Sequence, residues 1–211
     1  KLLQQAGITP AVITGRDSPA LRLRLASSQS TQAIWPQDFE AQLTLALGDG
    51  WMRVHLDVCN TGPTPWEFTT ALHTYLSVDA IESTCLEGLE GCERWDALRD
   101  QHGIQSGAVT FADEYDSVFG APVQPLHLRD GSSGLQISQS PDMGSTVVWN
   151  PGAHLCSRLA DLPADGYRFM LCVEAAQIDA PVRLVAGARW QGWQMLRVEE
   201  PRGMRAALAP G

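Results

Sequence analysis

Phe39-Glu40-Ala41-Gln42-Leu43-Thr44-Leu45-Ala46-Leu47-Gly48-Asp49-Gly50-Trp51-Met52-Arg53-Val54-His55-Leu56-Asp57-Val58 reads as a strand, a tight turn and a return strand. Gly48-Asp49-Gly50 is the kind of turn that joins two antiparallel strands, and β-prone residues flank it on both sides, so the segment is a hairpin. Just upstream, Leu21, Leu23 and Leu25 alternate with Arg22 and Arg24. A period of two predicts another strand, with one wet face.

The pattern continues downstream. Asn60 to Pro65 is a loop, and Trp66 to Val78 is read as one strand. Further short strands are predicted at Ala108–Phe111, Gln124–Arg129, Gly134–Gln139, Ser145–Asn150, Tyr167–Ala176, Val182–Val185 and Trp193–Val198. Asp130-Gly131 and Asn150-Pro151-Gly152 punctuate them as turns. Only Cys92 to Gln101 has helix character within this region. Many short strands separated by Gly/Pro turns predict an all-β sandwich or barrel. The first residues differ: Lys1 to Ala6 reads as a helix stopped by Gly7, Ile8 to Ile13 as a strand kept to an edge by Pro10, and Thr14 to Ser18 as a turn. The expected division is a short α/β-like segment at 1–18, a β-sandwich domain at 19–199 and a loose tail at 200–211.

Composition bounds the function. Hydrophobic residues make up 44% of the 211, enough for a sizeable core, and the net charge is -9. A field of that sign disfavours nucleic acid and anionic membranes as partners. No apolar run is long enough to span a bilayer. The cysteines, Cys59, Cys85, Cys92, Cys156 and Cys172, are odd in number and irregular in spacing, which reads as reduced thiols in a cytoplasmic protein. His55, His102, His127 and His154 have no carboxylate or cysteine at metal-ligand spacing, so no metal is expected. No glycine-rich loop has a phosphate-loop or dinucleotide form, and no cofactor is expected.

Two titratable residues stand out. His73 sits in the strand-like run Thr69-Thr70-Ala71-Leu72-His73-Thr74-Tyr75-Leu76, and Glu174 interrupts the apolar run Met170-Leu171-Cys172-Val173. A carboxylate in an apolar strand is costly without a purpose, although a water-facing or Arg-paired strand residue is the plain alternative. A histidine and a glutamate, each partly buried, can act together in acid–base chemistry. Asp116, in Tyr115-Asp116-Ser117-Val118-Phe119, is either a turn residue or a hydrogen-bond acceptor for a ligand. Trp149, before Asn-Pro-Gly, is either a packed turn anchor or a stacking surface.

From about Ser18 to Val198 the chain resembles the hexose-6-phosphate mutarotase branch of the aldose 1-epimerase family. The resemblance rests on Ile34-Trp35-Pro36-Gln37-Asp38-Phe39, Asn60-Thr61-Gly62, Ala71-Leu72-His73-Thr74-Tyr75 and Asp113-Glu114-Tyr115-Asp116-Ser117-Val118-Phe119. Val148-Trp149-Asn150-Pro151-Gly152, Asp165-Gly166-Tyr167, Cys172-Val173-Glu174 and Gly192-Trp193-Gln194-Met195-Leu196-Arg197-Val198 complete it. It implies a galactose-mutarotase-like β-supersandwich, incomplete at its N-terminal side, that interconverts the α and β anomers of glucose 6-phosphate without a cofactor. It further implies Glu174 as base, His73 as acid, Asp116 as an acceptor for sugar hydroxyls and Trp149 as a candidate sugar-stacking residue. The partner implied is a small sugar phosphate.

Members of that family carry roughly a hundred further residues ahead of the position of Leu21. A second histidine and the phosphate-binding arginines lie there, and nothing in this chain matches them. Arg16, Arg22 and Arg24 have no motif to promote them. The chain is therefore expected to be a poor catalyst and to self-associate through uncovered strands. Lys1 to Ser18 resembles instead a fragment of a haloacid-dehalogenase-type phosphatase of the kind that acts on 3-deoxy-octulosonate 8-phosphate, with Thr14 at the phosphate-contacting position. A non-catalytic carbohydrate-binding β-sandwich and a sugar-phosphate phosphatase remnant are the alternative readings.

Overall fold

The hairpin at 39–58 is the centre of a large sheet. In the computed structural model, which describes residues 9–13, 19–131 and 133–199, nine strands form that sheet. Their order is β1 (Thr9–Ile13), β2 (Ala20–Ala26), β3 (Phe39–Gly48), β4 (Trp51–Asn60), β16 (Arg189–Glu199), β13 (Ser133–Gln139), β12 (Leu126–Asp130), β7 (Cys85–Glu87) and β10 (Val109–Thr110). The second sheet runs β5 (Trp66–Leu72), β15 (Met170–Leu184), β14 (Ser145–Asn150), β11 (Tyr115–Gly120), β8 (Glu93–Asp96) and β9 (Gln101–Ile104), and β6 (Tyr75–Ser77) also pairs β15. All of these pairings are antiparallel. Among the described residues helix is confined to α1 (Gln29–Gln32), α2 (Gly152–Cys156) and two 3-10 turns. Among the described residues no helix is long and apolar enough to cross a membrane.

The main core lies between the sheets. Leu86, Leu126, Leu128 and Ile137 of the larger sheet meet Phe119, Val148, Leu171 and Val173 of the smaller one. Each such side chain contributes roughly 1.5–3 kcal/mol by leaving water. A second cluster joins Trp35, Phe39, Trp66, Phe68 and Trp190, whose rings meet at tilted or edge angles with centroids 5.0–5.7 Å apart. That geometry suits the quadrupoles of aromatic rings.

Two asparagines hold the turns. Asn60 Nδ2 donates to the Thr64 and Leu184 carbonyls while its Oδ1 accepts from Gly62 N–H. Asn150 does the same after β14, donating to the Tyr167 and Met170 carbonyls and accepting from Gly152 N–H. Gly152 has φ +59, and a Cβ there would stand 2.5 Å from the Glu114 nitrogen. The Asn-Pro-Gly signal is thus a steric requirement of the turn that ends the Trp149 strand.

Several expectations are corrected. Cys92 to Gln101 is not helical but supplies β8, a turn and the start of β9. Asp96 Oδ1 accepts from the N–H groups of Leu98 and Arg99, and Asp100 takes φ 51, so local side-chain hydrogen bonds outcompete the helix. Trp66 to Val78 is broken at His73-Thr74. Tyr167 belongs to a 3-10 turn, and β15 starts at Met170 and runs through a register shift to Leu184. The strand β11, which carries Asp116, lay outside the predicted set. Pro10 does lie on an edge strand, since β1 ends the larger sheet. The helix expected at Lys1–Ala6, the turn with Thr14 and the tail from 200 lie outside the described residues.

Candidate functional site

The break at His73-Thr74 is the key local feature. Leu72 pairs with Ala175 before it and Tyr75 with Cys172 after it. The register is the same on both sides, so His73 falls opposite Glu174 and Thr74 opposite Val173. Side chains alternate faces along a strand. His73 and Glu174 therefore share the outer face of the smaller sheet, while Thr74 and Val173 point toward the core.

His73 Nδ1 lies 3.2 Å from Glu174 Oε1. The two groups sit very differently in solvent. The His73 side chain is 52% exposed and that of Glu174 only 6%. Burial, and then the nearby charge of Asp116, pushes the Glu174 carboxyl up to about 7. Asp116 is itself raised above the ordinary carboxylate range, first by burial and then by Glu114 and Asp96. A carboxylate neighbour beside a buried carboxyl is an arrangement that tunes a proton acceptor toward neutrality.

The next row of the same face completes the site. Tyr75 pairs with Cys172, Cys172 with Trp149, and Trp149 with Asp116. The structure thus brings His73, Glu174, Asp116 and Trp149 into one patch. Tyr75, which the sequence reading did not single out, stacks on the His73 ring with centroids 4.8 Å apart. Trp149 stands edge-on to both, 6.1 Å from His73 and 6.4 Å from Tyr75. Trp149 therefore borders the His73–Glu174 pair as well as anchoring a turn.

Gln194 of β16 was also missed. It is 2% exposed and reaches across the core from the opposite sheet. Its Oε1 accepts from Thr74 Oγ at 2.5 Å, and its Nε2 donates to the Val173 carbonyl at 2.9 Å. A buried amide is costly unless both ends are satisfied, and here one end holds the neighbour of His73 and the other the neighbour of Glu174. The available signal was a lone glutamine in an apolar run near the end of the chain.

His73, Cys172 and Glu174 offer donor atoms within 4.8 Å of one another. Spacing along the chain could not reveal that grouping, because His73 lies about a hundred residues from the other two. The Cys172 thiol is pushed far up by burial and then by the Glu174 charge. What the patch can do is move protons under an aromatic wall.

The sequence profile of the aldose 1-epimerase family matches residues 11–197. A protein of Cenchrus ciliaris named "Putative glucose-6-phosphate 1-epimerase" is 30% identical over 185 residues, covering 83% of this chain and 56% of its own length. One of the same name from Escherichia coli K12 is 32% identical over 163 residues, 76% of this chain and 53% of its own. The chain thus spans little more than half the length of these relatives. A Salmonella typhimurium structure, described as a "putative mutarotase", has TM-score 0.83 at 25% identity, covering 92% of this chain and 65% of its own. The Slr1438 protein of Synechocystis shares the fold at TM-score 0.74 and 19% identity, with 90% and 65% covered.

Proposed function

The chain belongs to the aldose 1-epimerase family, and from that premise we propose that its site interconverts the anomers of a hexose 6-phosphate, glucose 6-phosphate first among them, through Glu174 and His73. One observation carries the reading: a buried carboxyl raised to about 7 in contact with an exposed imidazole. The names of the relatives support the sugar phosphate as substrate.

Mutarotation opens a cyclic hemiacetal and recloses it on the other face. Glu174 takes the proton of the anomeric hydroxyl, the C1–O5 bond breaks, and His73 delivers a proton to O5. The C1 carbonyl then turns over. Reclosure returns the O5 proton to His73 and the Glu174 proton to O1, so the site ends as it began. A carboxylate with a pKa near the working pH balances acceptance and return of that proton. The resemblance implied Glu174 as base and His73 as acid. In the structure they touch, through Nδ1 of His73, which leaves Nε2 as the donor to O5. Asp116 accepts from a ring hydroxyl, and Trp149 with Tyr75 presents an apolar wall to the sugar's C–H face.

Anomer exchange of glucose 6-phosphate, followed by two-dimensional exchange NMR, tests this. The chain, expected to be a poor catalyst, accelerates exchange only slightly above the buffer rate, and in a version as long as its relatives His73→Asn flattens one limb of the pH–rate profile. Exchange at the buffer rate, or an unchanged profile in His73→Asn, contradicts it.

A further inference from the structure

The face that carries the His73–Glu174 pair does not end there. Glu174 pairs with Val147, Val147 with Val118, Val118 with Trp95, and Trp95 with His102. Directly opposed residues in an antiparallel ladder stand on the same side of the sheet. One register row therefore runs from the pair, over two valines, to an aromatic ledge. From Glu174 to Trp95 is three strand spacings, on the order of 14 Å.

The ledge is built, not incidental. Trp95 and His102 are stacked at an interplanar angle of 12° with centroids 6.1 Å apart, and both are exposed. The indole is fixed, because Nε1 donates to Asp100 Oδ1 at 3.0 Å. Asp100 reaches that position with φ 51, a conformation that side-chain-bearing residues adopt at a cost. Asp96 braces the same turn by accepting from Leu98 N–H, Arg99 N–H and the Arg99 guanidinium. A flat aromatic surface held in one pose loses little entropy when it binds.

A cleft of about 550 Å³ lies against the ledge, lined in part by Glu93, Ile104, Gly120 and Asp179. Its acceptors are carboxylates. Asp179 takes a hydrogen bond from Ser145 Oγ on the neighbouring row, which ties this end of the cleft to the floor of the face. Arg94, also in the lining, is turned away, with its guanidinium over the Tyr115 ring and bonded to Ser117 and Asp96. Carboxylates without an opposing cation repel phosphate and accept from hydroxyl groups.

The geometry points to a second sugar subsite: Trp95 and His102 stack a neutral pyranose ring, and the cleft takes a neutral oligosaccharide whose reducing end lies at His73 and Glu174. The placement of the reducing end rests on the proposed function; the ledge itself does not. The row is longer than one sugar ring, its two ends are aromatic, and the floor between them is small and apolar. That is the outline of a site for a chain of rings rather than a single one.

The test is a titration of the ¹⁵N-labelled chain with maltotriose, cellotriose and glucose 6-phosphate, observed by ¹H–¹⁵N NMR. The Trp95 indole resonance is identified by its loss in Trp95→Phe. At least one trisaccharide shifts that resonance together with amides around His73, and Trp95→Ala weakens its binding about tenfold, as loss of one stacking contact implies. Trp95→Phe, which keeps a ring, retains most of the affinity. Glucose 6-phosphate leaves the Trp95 indole unmoved. If neither trisaccharide moves the indole, or Trp95→Ala binds as tightly as the wild type, the ledge is not a sugar subsite. Trisaccharide binding at Trp95 with no acceleration of anomer exchange would sink the mutarotase reading and leave the ledge standing.

Discussion

The sandwich has a closed half and an open half. Where β12, β13 and β7 face β11, β14 and β15, Leu86, Phe119, Leu171 and Val173 are fully buried. On β2 and β3, Leu25, Ala41 and Leu43 are covered by Trp66, Phe68 and Leu72 of β5, but toward the other end of the same strands Leu21 stays 36% and Leu47 49% exposed. The same alternating grammar built both halves. The difference is whether a second layer covers the apolar face. His73, Glu174, Asp116 and Trp149 all stand on the sheet of the closed half, on its outer face. Site geometry is therefore decoupled from the uncovered strands, which govern stability and association instead.

That separation can be broken most visibly in the core. Phe119→Ala removes a fully buried ring from beneath the site and is expected to cost about 3–5 kcal/mol. Leu47→Ala, in the open half, is expected to stay within about 0.5 kcal/mol. Urea unfolding measures both, and similar costs would mean that the two halves are equally packed.

Next in size is Glu174→Gln. The change is nearly isosteric, so the fold is kept, while in a version as long as the relatives any Glu174-dependent anomer exchange is expected to fall by on the order of a hundredfold. Stability should respond in a defined pH window. The folded carboxyl titrates at about 7, above its ordinary 4.5, so the native state binds the proton more tightly. The stability this provides is complete below pH 4.5 and declines as pH rises toward 7. Denaturation across pH 4–8 should show that decline in the wild type, and Glu174→Gln should lack it.

Gln194→Leu sharpens the link between core and site. It leaves the Val173 carbonyl without its side-chain donor and turns the Thr74 hydroxyl back to the Leu72 carbonyl alone, for about 1–3 kcal/mol of stability. It also loosens the register that sets His73 against Glu174, so exchange slows by about tenfold or more. Thr74→Val should reproduce the slowing, and a loss of stability with exchange intact would reduce Gln194 to a packing residue. The smallest change is on the open half. The chain is expected to form dimers or larger species, and Leu21→Lys with Leu47→Lys should shift it toward monomer by light scattering without altering the Glu174 titration.

The sequence made the strands legible where alternation and turns coincide, as at 39–58, and where Asn-Pro-Gly ends β14. It misled at Cys92 to Gln101, because Asp96 closes the turn by long-range-neutral, side-chain means that no hydrophobic period reports. The site was half legible. Glu174 and His73 announced themselves as titratable groups in apolar runs. Their contact depends on a register between strands a hundred residues apart, continued through a break that the sequence does not mark. Tyr75, Gln194 and Trp95 were hidden for the same reason: each matters through a neighbour across the sheet or across the core.

The central claim is that the sheet of the closed half holds Glu174 as a buried carboxyl tuned toward neutrality. Selective ¹³C labelling of glutamate, with the Glu174 side-chain resonance assigned by Glu174→Gln, allows its titration in the intact chain. The expected midpoint is about 7, falling when Asp116→Asn removes the neighbouring charge. A midpoint in the ordinary carboxylate range, near 4.5, would contradict the account.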